Sequence, residues 1–133
     1  MESFGVRTES RNCLVDITAK VRSAVTGFGV KSGIAFIYVP HTTAAVTVNE
    51  SCDPDVAKDI ENTLSKLVPA RAGYAHSEGN ADAHIKATLV GSCAQVPVED
   101  GNLMLGRWQG VFFCEFDGPR TRRVLVKVLK SAE

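Results

Sequence analysis

The sequence lacks the features that would assign it to several special classes of protein. No apolar run approaches the roughly 18 residues of a membrane-spanning helix, and the first five residues lack the basic start and apolar core of a secretory signal peptide. Neither sign of charge is in excess, because 15 basic residues balance 15 acidic residues. A neutral chain gives no electrostatic reason to bind nucleic acid or an anionic membrane surface. We therefore expect a cytoplasmic protein that binds neither nucleic acid nor membrane.

Cysteine is also sparse and scattered. The four cysteines, Cys13, Cys52, Cys93 and Cys114, include no C-x-x-C pair. Their even number leaves disulfide bonds open on counting alone, but the lack of a secretory signal favours reduced and mostly buried thiols. The sequence also contains no glycine-rich phosphate loop and no Ser-His-Asp signature.

The composition is that of an ordinary globular domain. Of the 133 residues, 44% are hydrophobic and 23% are charged, and no internal repeat, linker or low-complexity tract is present. A chain of this length buries roughly two-thirds of its unfolded surface on folding, which is enough for one core. We therefore interpret residues 1–133 as a single domain.

Two segments in the first half of the chain carry helix-initiation signals. Apolar residues at helical spacing follow Thr18, which we interpret as the N-cap of a first helix. Asp53-Pro54-Asp55 combines an N-cap residue, a proline at the first helical position and an acid in the first turn. The second helix is expected to run from there until Pro69 stops it.

A short third helix is predicted over Ala81 to Val90. Asn80 is its candidate cap, and Ile85 and Leu89 are expected to point inward. Asp82 lies in the first turn, where a carboxylate complements the partial positive charge of a helix start.

The other apolar segments predict strands. Cys13 to Thr18 is a candidate first strand, with Phe4 to Thr8 as a candidate partner. Ile34 to Val39 is continuously apolar, which predicts a strand buried on both faces, and Ala44 to Val48 is expected to be its neighbour. The rest of the chain is predicted to form four strands: Gln95 to Val98, Leu103 to Arg107, Trp108 or Gln109 to Phe116, and Arg123 to Leu129. Helices and strands interleave without a repeating βαβ unit, which favours an α+β fold with a largely antiparallel or mixed sheet.

The three histidines carry the functional interpretation. His76 and His84 flank a polar segment that contains Glu78 and Asn80, and His41 opens His41-Thr42-Thr43 after the apolar strand. Imidazole is a common metal ligand and the usual general base near neutral pH. Because all three histidines adjoin turn-forming residues, we expect them to meet at one end of the fold. The seven residues between His76 and His84 are not a standard zinc spacing, so ordinary surface or core histidines are the alternative.

Four motifs together resemble a known family. They are His41-Thr42-Thr43, the segment from His76 to His84, Leu105-Gly106-Arg107-Trp108-Gln109, and Glu115-Phe116-Asp117-Gly118-Pro119-Arg120. In their order and spacing, and over nearly the whole length, the chain resembles the YjbQ-like family, also called the secondary thiamine-phosphate synthase family. The resemblance implies a compact α+β fold with a β-sandwich-like core, usually assembled as a homotrimer. It also implies a histidine cluster near subunit boundaries that can hold a divalent metal.

Carried over to this chain, the resemblance makes His41, His76 and His84 the ligands of a divalent ion, with zinc as the first candidate. Three histidines plus water leave an open coordination position, which is the arrangement that catalytic zinc uses to activate water or polarise an oxygen. Thr42 and Thr43 are candidates to orient bound water or phosphate oxygens. The alternative is that both are strand-start hydroxyls in turn hydrogen bonds.

Three polar residues are candidates for the chemistry around that ion. Glu78 is the candidate for proton transfer or for a fourth ligand, with a solvated loop carboxylate as the alternative. Asn80 is expected to cap the third helix and to present its amide to the site. Arg120 is the candidate phosphate contact, because a guanidinium forks onto phosphate oxygens. For Arg120 the alternative is an ion pair with an acid such as Glu115 or Asp117.

These roles lead to three functional hypotheses. The first is a metal-assisted enzyme acting on a small phosphorylated substrate. Some members of the resembled family have a weak ability to make thiamine phosphate, by joining a hydroxymethylpyrimidine diphosphate to a thiazole phosphate with release of pyrophosphate. In that reaction Trp108 or Tyr74 would flank the pyrimidine, although a single tryptophan is more often core or interface. The second hypothesis is a metal-dependent hydrolase of a phosphate ester or amide. The third is a non-enzymatic, trimeric metal- or small-ligand-binding protein.

Overall fold

Three helices and eight strands make up the fold of residues 1–132, which the computed structural model describes. In chain order they are β1 (Glu2–Arg7), β2 (Cys13–Asp16), α1 (Thr18–Phe28), β3 (Gly33–Tyr38), β4 (Ala44–Glu50), α2 (Pro54–Leu67), α3 (Ala81–Val90), β5 (Cys93–Glu99), β6 (Asn102–Leu103), β7 (Gln109–Glu115) and β8 (Thr121–Lys130). Every strand pair among them is antiparallel, which agrees with the α+β fold that the sequence predicts. None of these three helices is long and apolar enough to cross a membrane.

The strands form two sheets that share one hydrophobic core. The larger sheet has the strand order β1-β8-β3-β5-β6, and the smaller sheet has the order β2-β7-β4. The core between them contains side chains of both sheets and of α1, among them Ala35, Ile37, Val124 and Val126 from the larger sheet, Val46, Val111 and Phe113 from the smaller sheet, and Val21 and Val25 from α1.

Two strand pairings predicted from the sequence are wrong. β1 pairs with β8 and not with β2, and β4 pairs with β7 and not with β3. In both cases the chain crosses from one sheet to the other, so strands that are neighbours in sequence lie in different layers. Backbone hydrogen bonds stabilise the connection at the start of each crossing. After β1 the N–H of Thr8 donates to the carbonyl of Arg120 (2.9 Å), and after β3 the N–H of Val39 donates to the carbonyl of Ser92 (2.8 Å).

The apolar strand β3 is buried on one face only, so the prediction of burial on both faces is wrong. Ala35 and Ile37 enter the core, whereas Ile34 is 44% exposed and Tyr38 is 40% exposed. Successive side chains of a strand point to opposite faces, and the outer face of this sheet is open to solvent. Leu129 of β8 lies opposite Ile34 in the register and is 53% exposed. The larger sheet therefore carries an exposed apolar face.

The helix starts agree only partly with their predicted caps. Asp53 caps α2 as predicted, since its Oδ1 accepts a hydrogen bond from the N–H of Asp55 at 2.9 Å. Thr18 is not the N-cap of α1 but its first helical residue, and the carboxylate of Asp16 accepts from its N–H at 2.9 Å. Asn80 precedes α3 but makes no capping bond through its side chain, because its amide is used elsewhere.

The buried face of α3 is the opposite of the one predicted. Ile85 is 39% exposed and Leu89 is 63% exposed, while Asp82 and Lys86 are buried together with two alanines. The Lys86 ammonium lies 3.2 Å from the Asp82 carboxylate and 3.0 Å from the side-chain oxygen of Asn12. A buried charge is tolerated when it is paired and hydrogen-bonded, and this pair replaces the apolar contacts that the helical pattern predicted.

The cysteines are free thiols, as predicted, but most of them are not buried. Cys114 is buried, Cys13 is half-buried, and Cys52 and Cys93 are exposed. Burial raises the pKa of the Cys114 thiol to about 12, and nearby Glu61 adds to the effect.

A buried ion pair between Glu115 of β7 and Arg122 of β8 joins the two sheets. The Glu115 carboxylate accepts hydrogen bonds from both the Nε (2.8 Å) and the Nη2 of Arg122 and from the Thr8 hydroxyl (2.7 Å). It also accepts from two backbone N–H groups, those of Phe116 and Asp117, each at 3.1 Å. Burial alone would raise the pKa of Glu115, but the bonds from Arg122, Thr8 and Asp117 outweigh it and hold the pKa below its ordinary value of 4.5.

We expect Glu115→Gln to lower the free energy of unfolding by about 3 kcal/mol at pH 7, because it leaves the buried Arg122 without its counter-charge. The stabilisation that comes from the lowered pKa is fully present above pH 4.5 and is lost as the pH falls through the pKa of the folded state. Urea unfolding at a series of pH values measures both effects. The variant should lose part of the acid dependence, whereas the exposed Glu2→Gln should keep it. Equal stability of Glu115→Gln and wild type would contradict the prediction.

Candidate functional site

Two of the histidines lie side by side at the start of α3. His84 is on the helix, and His76 is in the connection 68–80 that leads into it. Their ring centroids are 5.3 Å apart, with the rings nearly perpendicular at 83°. Gly79 has a φ of 80°, a conformation that favours glycine, and so permits the turn that brings the connection back over the helix. Glu78 extends from the same turn, with its carboxylate 3.8 Å from Nε2 of His76.

His84 also shares a cavity with His41. This cavity has a volume of about 450 Å³ and is lined by residues of the β3–β4 connection, of α3 and of the turn after α3: His41, Thr42, Ala44, His84, Ala87, Thr88, Gly91 and Ser92. A second cavity, of about 420 Å³, contains both His76 and His84. The fold therefore brings the three sequence-predicted histidines together in two neighbouring pairs, with His84 common to both. We refer to the first cavity as the His41 cavity.

The backbone of β8 determines the chemical form of His41. The Nε2 atom of His41 accepts a hydrogen bond from the N–H of Arg123 at 3.0 Å, so the neutral ring carries its proton on Nδ1. Partial burial lowers the pKa of His41, and the positive charge of Arg122 lowers it further, against the opposing effect of the negative charge of Glu115. At neutral pH His41 is therefore an uncharged hydrogen-bond donor.

The separation of His76 and His84 is compatible with two ligands of one divalent ion. Among residues 1–132 no three His, Cys, Asp or Glu side chains are gathered closely enough to hold a metal ion. Two imidazoles on one tetrahedral zinc, with Zn–N distances of about 2.1 Å, have ring centroids about 5 Å apart, which matches the separation of His76 and His84. The Nε2 atom of His41 is not available to bind a metal ion, because it already accepts a hydrogen bond from the N–H of Arg123. The three-histidine ligand set is thus not assembled within one protomer.

Asn80 and Arg120 are brought together around Asp117. The Asn80 amide donates to the Asp117 carboxylate at 2.9 Å, and the Arg120 guanidinium donates to the same oxygen at 3.1 Å and to the Asp117 carbonyl at 2.8 Å. These bonds outweigh the effect of burial and lower the pKa of Asp117. The carbonyl oxygen of the Asn80 side chain is buried without a hydrogen-bond partner. Arg120 therefore forms the ion pair that was the alternative to a phosphate contact.

The two aromatic residues named from the sequence differ in their places. Tyr74 lines the cavity that contains His76 and His84. Trp108 is 54% exposed and belongs to neither histidine cavity. Its ring lies 5.0 Å from the Arg107 guanidinium. Because more than half of its surface is exposed, Trp108 is not a core residue of the protomer.

Sequence reasoning missed the importance of Arg122. Its Nη2 donates to the Thr43 hydroxyl at 2.9 Å, so this hydrogen bond helps to fix the conformation of the His41-Thr42-Thr43 segment. The signal was present in the sequence, because Arg122 is two residues before Val124 and four before Val126, both of which face the core. An arginine at an inward position of a strand requires a buried acid as partner, and Glu115 is that acid.

Comparison with known proteins gives one consistent result. A family model described as "UPF0047 protein YjbQ-like" matches residues 2–131. The UPF0047 protein MJ1081 of Methanocaldococcus jannaschii is 52% identical over 126 residues, which cover 95% of this chain and 91% of that protein. The UPF0047 protein YugU of Bacillus subtilis is 44% identical over 130 residues, with 97% and 98% covered.

Solved structures agree with the fold. A YjbQ/UPF0047 family protein from Clostridium acetobutylicum has a TM-score of 0.95 at 47% identity and covers 97% of this chain and 100% of its own. A protein of unknown function from Sulfolobus solfataricus has a TM-score of 0.94 at 35% identity, with 98% and 96% covered. The compact α+β fold that the sequence predicts is therefore confirmed.

We expect His41 to titrate below its ordinary pKa of 6.5, because burial and the charge of Arg122 both disfavour the imidazolium. Proton and nitrogen NMR of the imidazole rings, followed from pH 4 to 9, measures the pKa and the tautomer. The neutral form should carry its proton on Nδ1. A pKa above the ordinary value, or a neutral ring protonated on Nε2, would show that the bond from Arg123 does not persist in solution.

Proposed function

The chain belongs to the UPF0047 family of YjbQ-like proteins, and we propose that it is a metal-assisted enzyme acting on a small phosphorylated substrate. The observation that carries the proposal is the position of His84 between two histidines, His76 at 5.3 Å on one side and His41 across a cavity on the other. This arrangement supports a divided site, in which one histidine pair binds the ion and the His41 cavity binds the phosphate group. We also propose that the enzyme acts in the cytoplasm.

His76 and His84 would hold the ion, and zinc suits two imidazoles. When bound, the ion would supply positive charge to stabilise negative charge on oxygens of the substrate. Glu78 is the residue that moves a proton in this proposal, because its exposed carboxylate lies 3.8 Å from His76 Nε2 and is free to contact the substrate.

The phosphate group would be bound by uncharged donors. Thr42 and Ser92 contribute hydroxyl donors to the His41 cavity, and the Nδ1–H of His41 adds a third donor. The hydroxyl of Thr88 donates to the carbonyl of His84 at 2.9 Å and is not one of these donors. Hydrogen bonds to a charged acceptor are stronger than those between neutral groups. Arg120 is bonded to Asp117, so in this proposal it holds Asp117 and Asn80 in place next to α3 and does not bind the phosphate.

We further propose that the protein assembles as a homotrimer through the exposed face of its larger sheet. Ile34, Tyr38 and Leu129 lie on that face and are 44%, 40% and 53% exposed. Contiguous exposed apolar side chains are typical of protein interfaces. The proposal follows from the family resemblance, and this face is the surface that supports it.

Metal binding tests the division of roles among the histidines. We expect His76→Ala and His84→Ala each to weaken zinc binding at least about 100-fold, since even the loss of an outer-shell partner costs roughly 10–100-fold. His41→Ala should change zinc affinity less than about threefold and should instead weaken binding of inorganic phosphate. Calorimetric titration of the metal-free protein measures both ligands. Equal losses of zinc affinity in all three variants would instead indicate a centre with three histidine ligands. If the wild-type protein does not bind zinc, the proposed metal site is wrong.

Turnover assays separate the three functional hypotheses. Pyrophosphate release only when a hydroxymethylpyrimidine diphosphate and a thiazole phosphate are both present would support thiamine-phosphate synthesis. Release of phosphate from a single ester in water would support the hydrolase. Saturable binding of phosphorylated metabolites without turnover would support the non-enzymatic ligand-binding protein. In either enzyme, His84→Ala should reduce kcat/KM at least about 100-fold, while Glu2→Gln, a remote and exposed change, should leave it unaltered.

A further inference from the structure

The connection between α2 and α3, which carries His76, contributes almost nothing to the core. Of residues 69–79, only Tyr74 is even half-buried, and the others are exposed. The Tyr74 hydroxyl donates to the carbonyl of Pro69 at 2.6 Å, which is a bond within the connection itself. His84, in contrast, lies on a helix whose opposite side is buried. The position of His76 relative to His84 therefore depends on the bonds that attach this connection to the rest of the protein.

One guanidinium group makes such an attachment. Arg11 lies between β1 and β2, and its Nη2 donates both to the carbonyl of Gly79 at 3.2 Å and to the Asp82 carboxylate at 2.9 Å. Gly79 is three residues after His76 in the sequence, and Asp82 is two residues before His84. A single nitrogen atom thus binds the two segments that carry the histidine pair.

The backbone around Arg11 is itself held from two sides. The carbonyl of Arg11 accepts a hydrogen bond from the N–H of Gly118 at 3.1 Å, and the next side chain, Asn12, accepts from the Lys86 ammonium at 3.0 Å. The turn after β7 also packs closely on this segment, because a Cβ added to Gly118 would lie 2.3 Å from the carbonyl oxygen of Ser10. The guanidinium therefore starts from a fixed point when it reaches the histidine segments.

The buried acid that Arg11 contacts does not depend on it for charge balance. Asp82 is 1% exposed, and its other carboxylate oxygen accepts a hydrogen bond from the buried Lys86 ammonium at 3.2 Å. Without Arg11 the Asp82 carboxylate would still be paired, and the exposed carbonyl of Gly79 would return to water. An ion pair with a partly exposed partner contributes little to stability. The main effect of Arg11 is therefore on position.

We propose that Arg11 is a positioning residue for the His76–His84 metal site. It holds the Gly79 turn against the start of α3 and so keeps the two rings close enough to share one ion. This inference rests on the proposed metal site and adds to it a residue that is not itself a ligand. Groups that orient metal ligands typically change metal affinity by roughly 10–100-fold when they are lost. A ligand pair that is already assembled also loses less conformational entropy when the ion binds.

Replacement of Arg11 tests this role through two binding affinities. Arg11→Met removes the donors and keeps the aliphatic stem, so zinc affinity should fall about tenfold. Affinity for inorganic phosphate should not change, since no residue of the connection lines the His41 cavity. Arg11→Lys supplies an ammonium with enough donors for both bonds and should retain more zinc affinity than Arg11→Met. Arg7→Ala, which removes an exposed arginine of β1, is the matched control and should alter neither affinity.

Calorimetric titration of the metal-free protein measures both affinities, and NMR of the same protein observes the rings without metal. Nuclear Overhauser contacts between the His76 and His84 rings should be present in the wild type and lost in Arg11→Met. Unchanged zinc affinity, or persistence of those contacts in the variant, would overturn the inference. So would failure of Arg11→Met to fold, or a parallel loss of phosphate binding, because either shows a general structural role. If the wild type binds no zinc, the proposed metal site fails, and the ring contacts alone decide whether Arg11 positions the histidines.

Discussion

The buried ion pair of Glu115 and Arg122 determines how the two sheets of this protein meet. Both oxygens of the Glu115 carboxylate accept hydrogen bonds, from the guanidinium, from the Thr8 hydroxyl and from two backbone N–H groups. Such a pair is costly to desolvate and contributes little net stability, but the removal of either partner leaves a charge that the core cannot solvate. Its bonds hold β7 of the smaller sheet in one alignment against β8 of the larger sheet.

The candidate site depends on that alignment. Arg122 donates to Thr43, and the next residue, Arg123, donates its N–H to His41. The first residues of β8 therefore fix the turn between β3 and β4 and the tautomer of its histidine at the same time. On the other wall, the Lys86–Asp82 pair anchors the buried side of α3, which leaves His84 on the side that lines the cavities. Two buried ion pairs thus orient the two halves of one site.

Local signals were sufficient to predict some of this structure. Asp53-Pro54 marks the start of α2, and the bounds of α3 follow from the polar residues before it and from Gly91 after it. The closeness of His76 and His84 was predictable because both lie near one helix start. The buried face of α3 was not, because Lys86 needs Asn12, a residue distant in the sequence, to complete its hydrogen bonds. Strand order was not predictable either, since an alternating pattern gives a strand its faces and not its partners.

The place of β8 in the larger sheet has a consequence for how the protein forms during synthesis. β8 follows every other strand of residues 1–132 in sequence, yet it lies between β1 and β3 and pairs with both. Glu2 faces Val126 in the register, so β1 has no partner strand in this sheet until β8 has been synthesised. Pairings of this separation are slow to form and expose strand edges to neighbouring chains. Closure of the larger sheet therefore waits for β8, although β1 and β3 are synthesised much earlier.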